Sequence, residues 1–302
     1  MPDIRFSIVI TSYNQPEFIK DAVDSALVQR TAEKEIIVVD DASTEGTLQI
    51  LRQYGDAIRL VPLETNQGAC VARNCGAAVA AGEYLVFLDG DDALVPWALD
   101  VYERIVQAKK PKMILGSRWW FKGMLPVLQP GDAPDEMRIV EYEDILRRDW
   151  PFGEPSAKVI DRHAFLAVQG WSPDTWPAEH TDLLLRLCIS GPTILIFTPR
   201  TIFYRMHSRN NSANIADCIP ALLKTIENER SGEYAGGKAR CFERQALIGG
   251  RILSVAEKTF EAGLVWDAAK FLARGWPMAW VAVTRRLRIA LQGRQLCETI
   301  KM

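Results

Sequence analysis

The sequence predicts an α/β fold: a mainly parallel sheet with helices on both faces. Short apolar runs end in polar or acidic turns, and each is followed by apolar residues at helical spacing, a β-α alternation that continues as far as Leu115. Such alternation implies right-handed crossovers between parallel strands. The most pronounced run, Tyr84-Leu85-Val86-Phe87-Leu88, leads into Asp89-Gly90-Asp91-Asp92 and reads as a strand buried on both faces. Its carboxylates therefore fall at a strand's carboxyl end, where open α/β sheets keep their ligands. Three carboxylates in four residues repel one another unless a cation holds them, and an oxygen-rich set suits Mg²⁺ or Mn²⁺. The plainer alternative is a solvated acidic turn.

The other elements follow in order. Phe6 to Thr11 is the first expected strand; Pro16 suits a first helical turn, and Phe18, Ile19, Ala22, Val23, Ala26 and Leu27 recur at helical spacing. Glu35 to Val39 forms a second strand ending in Asp40-Asp41-Ala42-Ser43-Thr44, a cluster rich in helix-capping residues. A strand at Arg59–Leu63, a helix at Gly68–Ala81, the Tyr84 strand, a helix at Val95–Ala108 and a strand at Met113–Leu115 come next. Past Gly116 the pattern loosens. Arg118 to Gly123 and the Pro/Gly-rich Pro126 to Pro134 read as an irregular, aromatic-rich excursion of the kind that often carries function. A helix at Glu141–Arg148, a strand at Ser156–Ile160, a helix at Thr181–Ser190 and strands at Thr193–Phe197 and Thr201–Arg205 complete the sheet. From Pro220 the chain reads helical, with helices around Arg240–Phe260 and Leu264–Leu272. The boundary is set near residue 215, with an α/β unit over 1–215 and a helical region over 216–302.

The 302 residues suffice for a full core, and 48% hydrophobic with 25% charged residues is ordinary globular composition. A net charge of −2 gives no general attraction to nucleic acid. Charge is uneven instead: Arg274, Arg285, Arg286, Arg288, Arg294 and Lys301 face only Glu298 in residues 271–302, so that tail is +5 and the remainder −7. Trp276, Trp280, Val283, Leu287 and Leu291 share one helical face there, with Arg285, Arg286 and Arg288 at its sides. Such a helix suits an anionic membrane surface, and equally the α/β unit or a second subunit. The six cysteines show no C-x-x-C pair and no matching histidine spacing, so they read as reduced thiols. The start lacks the pattern of a secretory signal, and a cytoplasmic chain is expected, with the tail as a peripheral contact at the inner face of the membrane.

Six segments, in this order, resemble glycosyltransferase family 2, enzymes of the GT-A fold that use nucleotide diphosphate sugars. They are Ile10-Thr11-Ser12-Tyr13-Asn14; Val38-Val39-Asp40-Asp41-Ala42-Ser43; Asn66-Gln67-Gly68 with Ala72-Arg73-Asn74; Gly82 through Asp92; Glu179 to Arg186; and Tyr204-Arg205-Met206-His207 with Asn211-Ser212. The resemblance implies a GT-A catalytic unit over 1–215, with nucleotide-sugar binding in about 1–117, an acceptor side in about 118–215, and the C-terminal helical region beyond. It implies that Asp91 holds Mg²⁺ or Mn²⁺ with support from Asp92 through a water, that His207 contacts the diphosphate or the metal, and that Asp89 bonds the donor ribose beside the metal. Thr11 and Tyr13 fall on the nucleotide side, where an aromatic face can stack on a base. A carboxylate of Asp40 or Asp41 can accept the uracil imide N–H, which favours UDP; one of the two caps the following turn, and the sequence leaves open which. Arg73 reaches toward the base or diphosphate. No glycine-rich phosphate loop of either common type is present.

One position departs from the family. Where it carries a Glu-Asp pair whose aspartate deprotonates the acceptor, this chain reads Glu179-His180, and Thr181-Asp182-Leu183-Leu184-Leu185-Arg186 continues the pattern without a gap. His180 is therefore the expected base, with Glu179 or Asp182 orienting it, because a neutral imidazole is a competent base near neutral pH. The expected function is inverting sugar transfer to a carbohydrate or lipid-linked acceptor in polysaccharide or glycolipid synthesis. The alternative is a catalytically silent relative that binds a nucleotide sugar or a partner protein. The choice of sugar and acceptor is expected to rest on the Arg118–Pro134 excursion and a pocket near Trp171 and Trp176.

Overall fold

A computed structural model describes residues 5–30, 33–128, 136–141, 158–187, 192–208, 217–292 and 298–301. Its strands are β1 (Phe6–Ser12), β2 (Lys34–Asp40), β3 (Arg59–Pro62), β4 (Tyr84–Asp89), β5 (Ala93–Leu94), β6 (Met113–Leu115), β7 (Arg118–Phe121), β8 (Glu136–Glu141), β9 (Lys158–Asp161), β10 (Thr193–Thr198), β11 (Ile202–Arg205) and β12 (Glu298–Lys301). The helices are α1 (Ile19–Leu27), α2 (Thr47–Arg52), α3 (Ala69–Val79), α4 (Ala98–Lys109), α5 (Arg162–Ala167), α6 (Glu179–Leu187), α7 (Cys218–Ser231), α8 (Cys241–Glu261) and α9 (Val265–Gln292). Among the described residues, nine strands form one sheet in the order β12-β8-β10-β6-β9-β4-β1-β2-β3, and β5-β11-β7 form a small second sheet. In the large sheet only β8 and β9 run against the other strands. The fold is the expected mixed, mainly parallel α/β architecture.

The central strands are apolar without alternation because both faces are covered. Every residue of β1 is buried. Ile8 and Ile10 pack with α1 and α4 on one face, while Val9 packs with α3 and the C-terminal helices on the other. Leu247, Ile248, Ile252, Val255 and Phe271 belong to the same apolar cluster as Val9, Leu85 and Phe87. Full burial of each such side chain is worth about 1.5–3 kcal/mol, so the helical region stands on the sheet as part of one core. Helices α8 and α9 touch backbone to backbone: a Cβ at Gly249 would lie 1.9 Å from the Met278 carbonyl oxygen. Only glycine permits that approach.

Polar anchors tie α6 to the helical region. The Asp182 carboxylate, 1% exposed, accepts hydrogen bonds from the Tyr234 hydroxyl at 2.7 Å and from the Arg186 Nε at 2.8 Å. Arg186 also donates to the carbonyls of Val168 and Gly170. Tyr234→Phe leaves a buried carboxylate oxygen short of a donor and should lower unfolding stability by about 1–3 kcal/mol. Urea denaturation reads this directly, and an unchanged midpoint would show that the anchor carries no weight.

Four expectations need correction. Arg118–Phe121 is not irregular: it is β7, paired in parallel with β11, a partner too distant in sequence to leave a local signal. The chain after Leu264 forms one continuous helix, Val265–Gln292 with Pro277 inside it, rather than a helix over Leu264–Leu272 and a separate helical tail. Glu298–Lys301 is an edge strand against β8, not helix. Arg285 is buried, not beside the exposed stripe, because it follows Met278 and Ala282 at helical spacing on the inward face. Trp276, Trp280 and Leu287 are exposed as expected. The Glu141–Arg148 helix and the Asn211-Ser212 match lie outside the described residues, as do most of Pro126–Pro134 and the side chains of Arg286, Arg288 and Leu291. No described helix is long and apolar enough to cross a membrane, and the four described cysteines are free.

Candidate active site

Strand register builds the site. Parallel pairing sets Ser12 beside Asp40 and Thr11 beside Asp89, so the polar ends of β1, β2 and β4 emerge together at one edge of the sheet. A cleft of about 840 Å³ opens there, lined by Thr11, Tyr13, Asp41, Arg73, Asp89, Asp91, Glu179, His180 and His207. Tyr13 is 46% exposed, so it presents a ring face to the cleft rather than packing in the core.

The acidic turn depends on Gly90. A Cβ there would lie 2.6 Å from the Gln15 side-chain oxygen and 2.9 Å from the Thr11 carbonyl, which the Gly90 amide itself bonds. The chain can therefore double back tightly enough to bring ligand oxygens of Asp89, Asp91 and Asp92 within 4.8 Å of one another. That cluster of hard oxygen donors fits a divalent cation of the Mg²⁺ or Mn²⁺ type. His207 Nε2 stands 2.9 Å from Asp91 Oδ2, and its ring stacks on Phe18. Asp92 does not line the cleft; it is buried and accepts the Arg205 backbone amide at 3.0 Å.

The two aspartates after β2 divide the roles that the sequence left open. Asp40 is buried away from the cleft and accepts the Ser43 amide at 3.1 Å, so it is the cap. Asp41 lines the cleft, with its two oxygens accepting the Gln67 and Gly68 amides at 2.8 Å each. It shapes the entry to α3.

Arg73 joins the two sides of the site. Buried on α3 above Trp171, it donates to Asp89 at 2.8 Å and to Glu179 at 3.4 Å. Burial pulls its pKa down, but Asp89 and Glu179 outweigh that and hold it above its usual value. Burial pushes the Glu179 carboxyl up, with Arg73 opposing. His180, at the start of α6, faces the cleft with no ion pair or hydrogen bond among the described residues. Burial, then the charge of Arg251, holds its imidazole well below the usual 6.5, so it is neutral near pH 7. Asp182 does not join this group, because Tyr234 and Arg186 hold it behind α6.

Some site residues left no readable role in the sequence. Arg205 donates to the Asp91 carbonyl at 3.0 Å and pairs with Asp21 at 2.5 Å, its guanidinium lying between Phe18 and Phe121. It clamps the acidic turn to β11. Trp171 is core, 1% exposed, whereas Trp176 is 38% exposed and lines the cleft. Arg251 and Lys258 of α8 also line it, from beyond the boundary near residue 215. A basic pair seven residues apart was visible, but only docking of α8 points it here.

The family model described as Glycosyl transferase family 2 matches residues 7–166. A putative teichuronic acid biosynthesis glycosyltransferase, TuaG of Bacillus subtilis, is 36% identical over 148 residues, covering 47% of this chain and 56% of that protein's length. WfaP of Escherichia coli, a UDP-Glc:alpha-D-GlcNAc-diphosphoundecaprenol beta-1,3-glucosyltransferase, is 42% identical over 88 residues, 28% of this chain and 35% of that one. Among solved structures, S. aureus TarS 1-349 in complex with UDP-GlcNAc superposes with a TM-score of 0.72 at 16% identity, covering 92% of this chain and 81% of that one. Mannosyltransferase PcManGT of Pyrobaculum calidifontis, in complex with GDP-Man and Mn2+, superposes with a TM-score of 0.53 at 17% identity over 96% of this chain and 87% of that one. The family model spans more than half of the 302 residues and the fold is that of the GT-A enzymes, so the chain belongs to glycosyltransferase family 2 and is a glycosyltransferase.

Proposed function

We propose that this glycosyltransferase is inverting, takes its sugar from a nucleotide diphosphate donor, a UDP-sugar, and transfers it to an acceptor hydroxyl in the synthesis of a cell-surface polysaccharide or glycolipid. The observation that carries this reading is the opposition, within one cleft, of an acidic cluster and an unpartnered neutral imidazole. Tyr13 stacks on the base, and Asp89, held by Arg73, takes the ribose. His180 accepts the proton of the acceptor hydroxyl as its oxygen attacks the anomeric carbon, and the bond from that carbon to the diphosphate breaks from the opposite side. Asp89 and Asp91 would hold a divalent cation, with His207 on Asp91, and the ion would supply Lewis-acid stabilisation of the leaving diphosphate. TarS with UDP-GlcNAc supports the UDP choice, and PcManGT with Mn2+ supports the ion. The test is a panel of UDP- and GDP-sugars with Mn²⁺ or Mg²⁺. UDP release is expected, and loss of it in EDTA; release that is indifferent to EDTA removes the metal from the mechanism. No release from any donor, despite nucleotide binding, would instead favour the silent relative, which the histidine at the base position makes worth testing.

A lipid-linked acceptor, as in the WfaP reaction, suits a membrane-surface enzyme. Trp276 and Trp280 lie at a tilt to each other, ring centroids 6.1 Å apart, on the exposed face of α9 in the basic tail, in the manner of helices that lie on anionic bilayers. Trp276→Ser with Trp280→Ser should lower co-sedimentation with vesicles rich in anionic lipid. Equal sedimentation of this variant and wild type would return the stripe to the subunit-contact reading.

A further inference from the structure

The donor half of the cleft accounts for Asp89, Asp91 and Arg73, but not for two cations on the opposite wall. Arg251 and Lys258 stand seven residues apart on one side of α8, with Ser254 between them, and all three line the cleft. Among the described residues neither cation forms an ion pair, and the Arg251 Nε is buried with no hydrogen-bond partner. A charged donor left unmatched in a protein wall is costly, and such a group marks a place for an anion that arrives with a ligand. Carboxylates that line the cleft are already engaged: Glu179 and Asp89 by Arg73, Asp91 by His207, and Asp41 by the Gln67 and Gly68 amides. We propose that Arg251 and Lys258 form an anion subsite on the acceptor side, which binds a phosphate ester of the acceptor close to its reacting hydroxyl.

The assignment rests on reading the cleft as that of a sugar transferase and adds the chemical class of its acceptor. Arginine's fork suits two phosphate oxygens at once, and lysine adds a mobile point charge. Position favours the acceptor over the donor, since Arg251 is the foremost charge acting on His180, the residue that meets the acceptor hydroxyl. An anion on Arg251 offsets that charge and strengthens the imidazole as a base. A phosphate-bearing acceptor is thereby seated and activated by one contact, and a neutral sugar receives neither benefit. A sugar diphospholipid and an alditol phosphate polymer share this chemistry.

The probe is inorganic phosphate, titrated into the full chain already saturated with UDP and Mg²⁺, with the melting temperature as readout. Phosphate should raise it in the wild type. In Arg251→Ala with Lys258→Ala its affinity should fall by about tenfold or more, and Arg251→Lys should keep part of it. No phosphate effect with UDP bound, or an equal effect in the double variant, overturns the subsite. Loss of UDP binding in that variant also overturns it, because the cations would then serve the donor. If UDP fails to stabilise the wild type, the donor reading falls by itself, and the phosphate titration still reads the subsite. Transfer assays then separate the two sources: a sugar diphosphate on a short polyprenyl chain against an alditol phosphate oligomer. KM for the one that is used should rise about tenfold in Arg251→Ala. Equal kcat/KM for a neutral alkyl glycoside in the wild type would overturn the proposal.

Discussion

Asp91→Ala is expected to cut sugar transfer by on the order of 10²–10³, the scale seen when a group that stabilises developing charge is removed from a site. The residue lies past the end of β4 with its carboxylate toward the cleft, 2.9 Å from His207 Nε2, and it carries no core packing. The fold should survive, because Gly90 and Asp92 hold the turn through their own contacts, and Asp91 meets the Arg205 clamp only through its backbone carbonyl, which alanine keeps. Steady-state UDP release, beside an unchanged melting temperature, checks both halves of the claim. A variant that turns over at the wild-type rate removes Asp91 from the reaction.

His180→Ala should cost on the order of 10²–10⁴ in transfer if general-base catalysis is lost, while the donor still binds. The imidazole sits at the start of α6, nearly buried and unpartnered, while Glu179 beside it is tied to Arg73. The pH profile gives a second reading. Burial and Arg251 hold the imidazole well below 6.5, and the neutral form is the base, so activity should persist as pH falls through 6.5 and fail only further down. An acid limb centred at the ordinary histidine value would contradict that environment. If His180→Ala keeps its rate while Glu179→Ala loses it, Glu179 is the base.

The strand-end part of the site was legible because a parallel sheet turns sequence position into spatial position. Once Phe6–Thr11, Glu35–Val39 and Tyr84–Leu88 are read as parallel neighbours, Thr11, Asp41 and Asp89 must come together, and they do. The division of labour was not legible, because it turns on individual hydrogen bonds. Asp40 and Asp41 are identical in sequence terms, yet one caps Ser43 and the other gathers the Gln67 and Gly68 amides. Asp182 fits any sequence criterion for a base's partner, but Tyr234, fifty-two residues downstream, holds it. Trp171 and Trp176 differ only in the side of the 3₁₀ turn Pro173–Thr175 on which they fall, and one is core while the other faces the cleft. β7 was missed because its partner β11 pairs across more than eighty residues.

The apolar cluster that runs from β1 and β4 into α8 and α9 bears on how this chain could be recombined with its relatives. A fragment ended near residue 215 would lose the wall that carries Arg251 and Lys258, strip the cover from Val9 and Phe87, and leave Asp182 without Tyr234. Exchanging front halves between members would therefore break the shared core as well as the cleft. The graft would have to match the seam of α6, α7 and α8 as closely as a core substitution must match its hole.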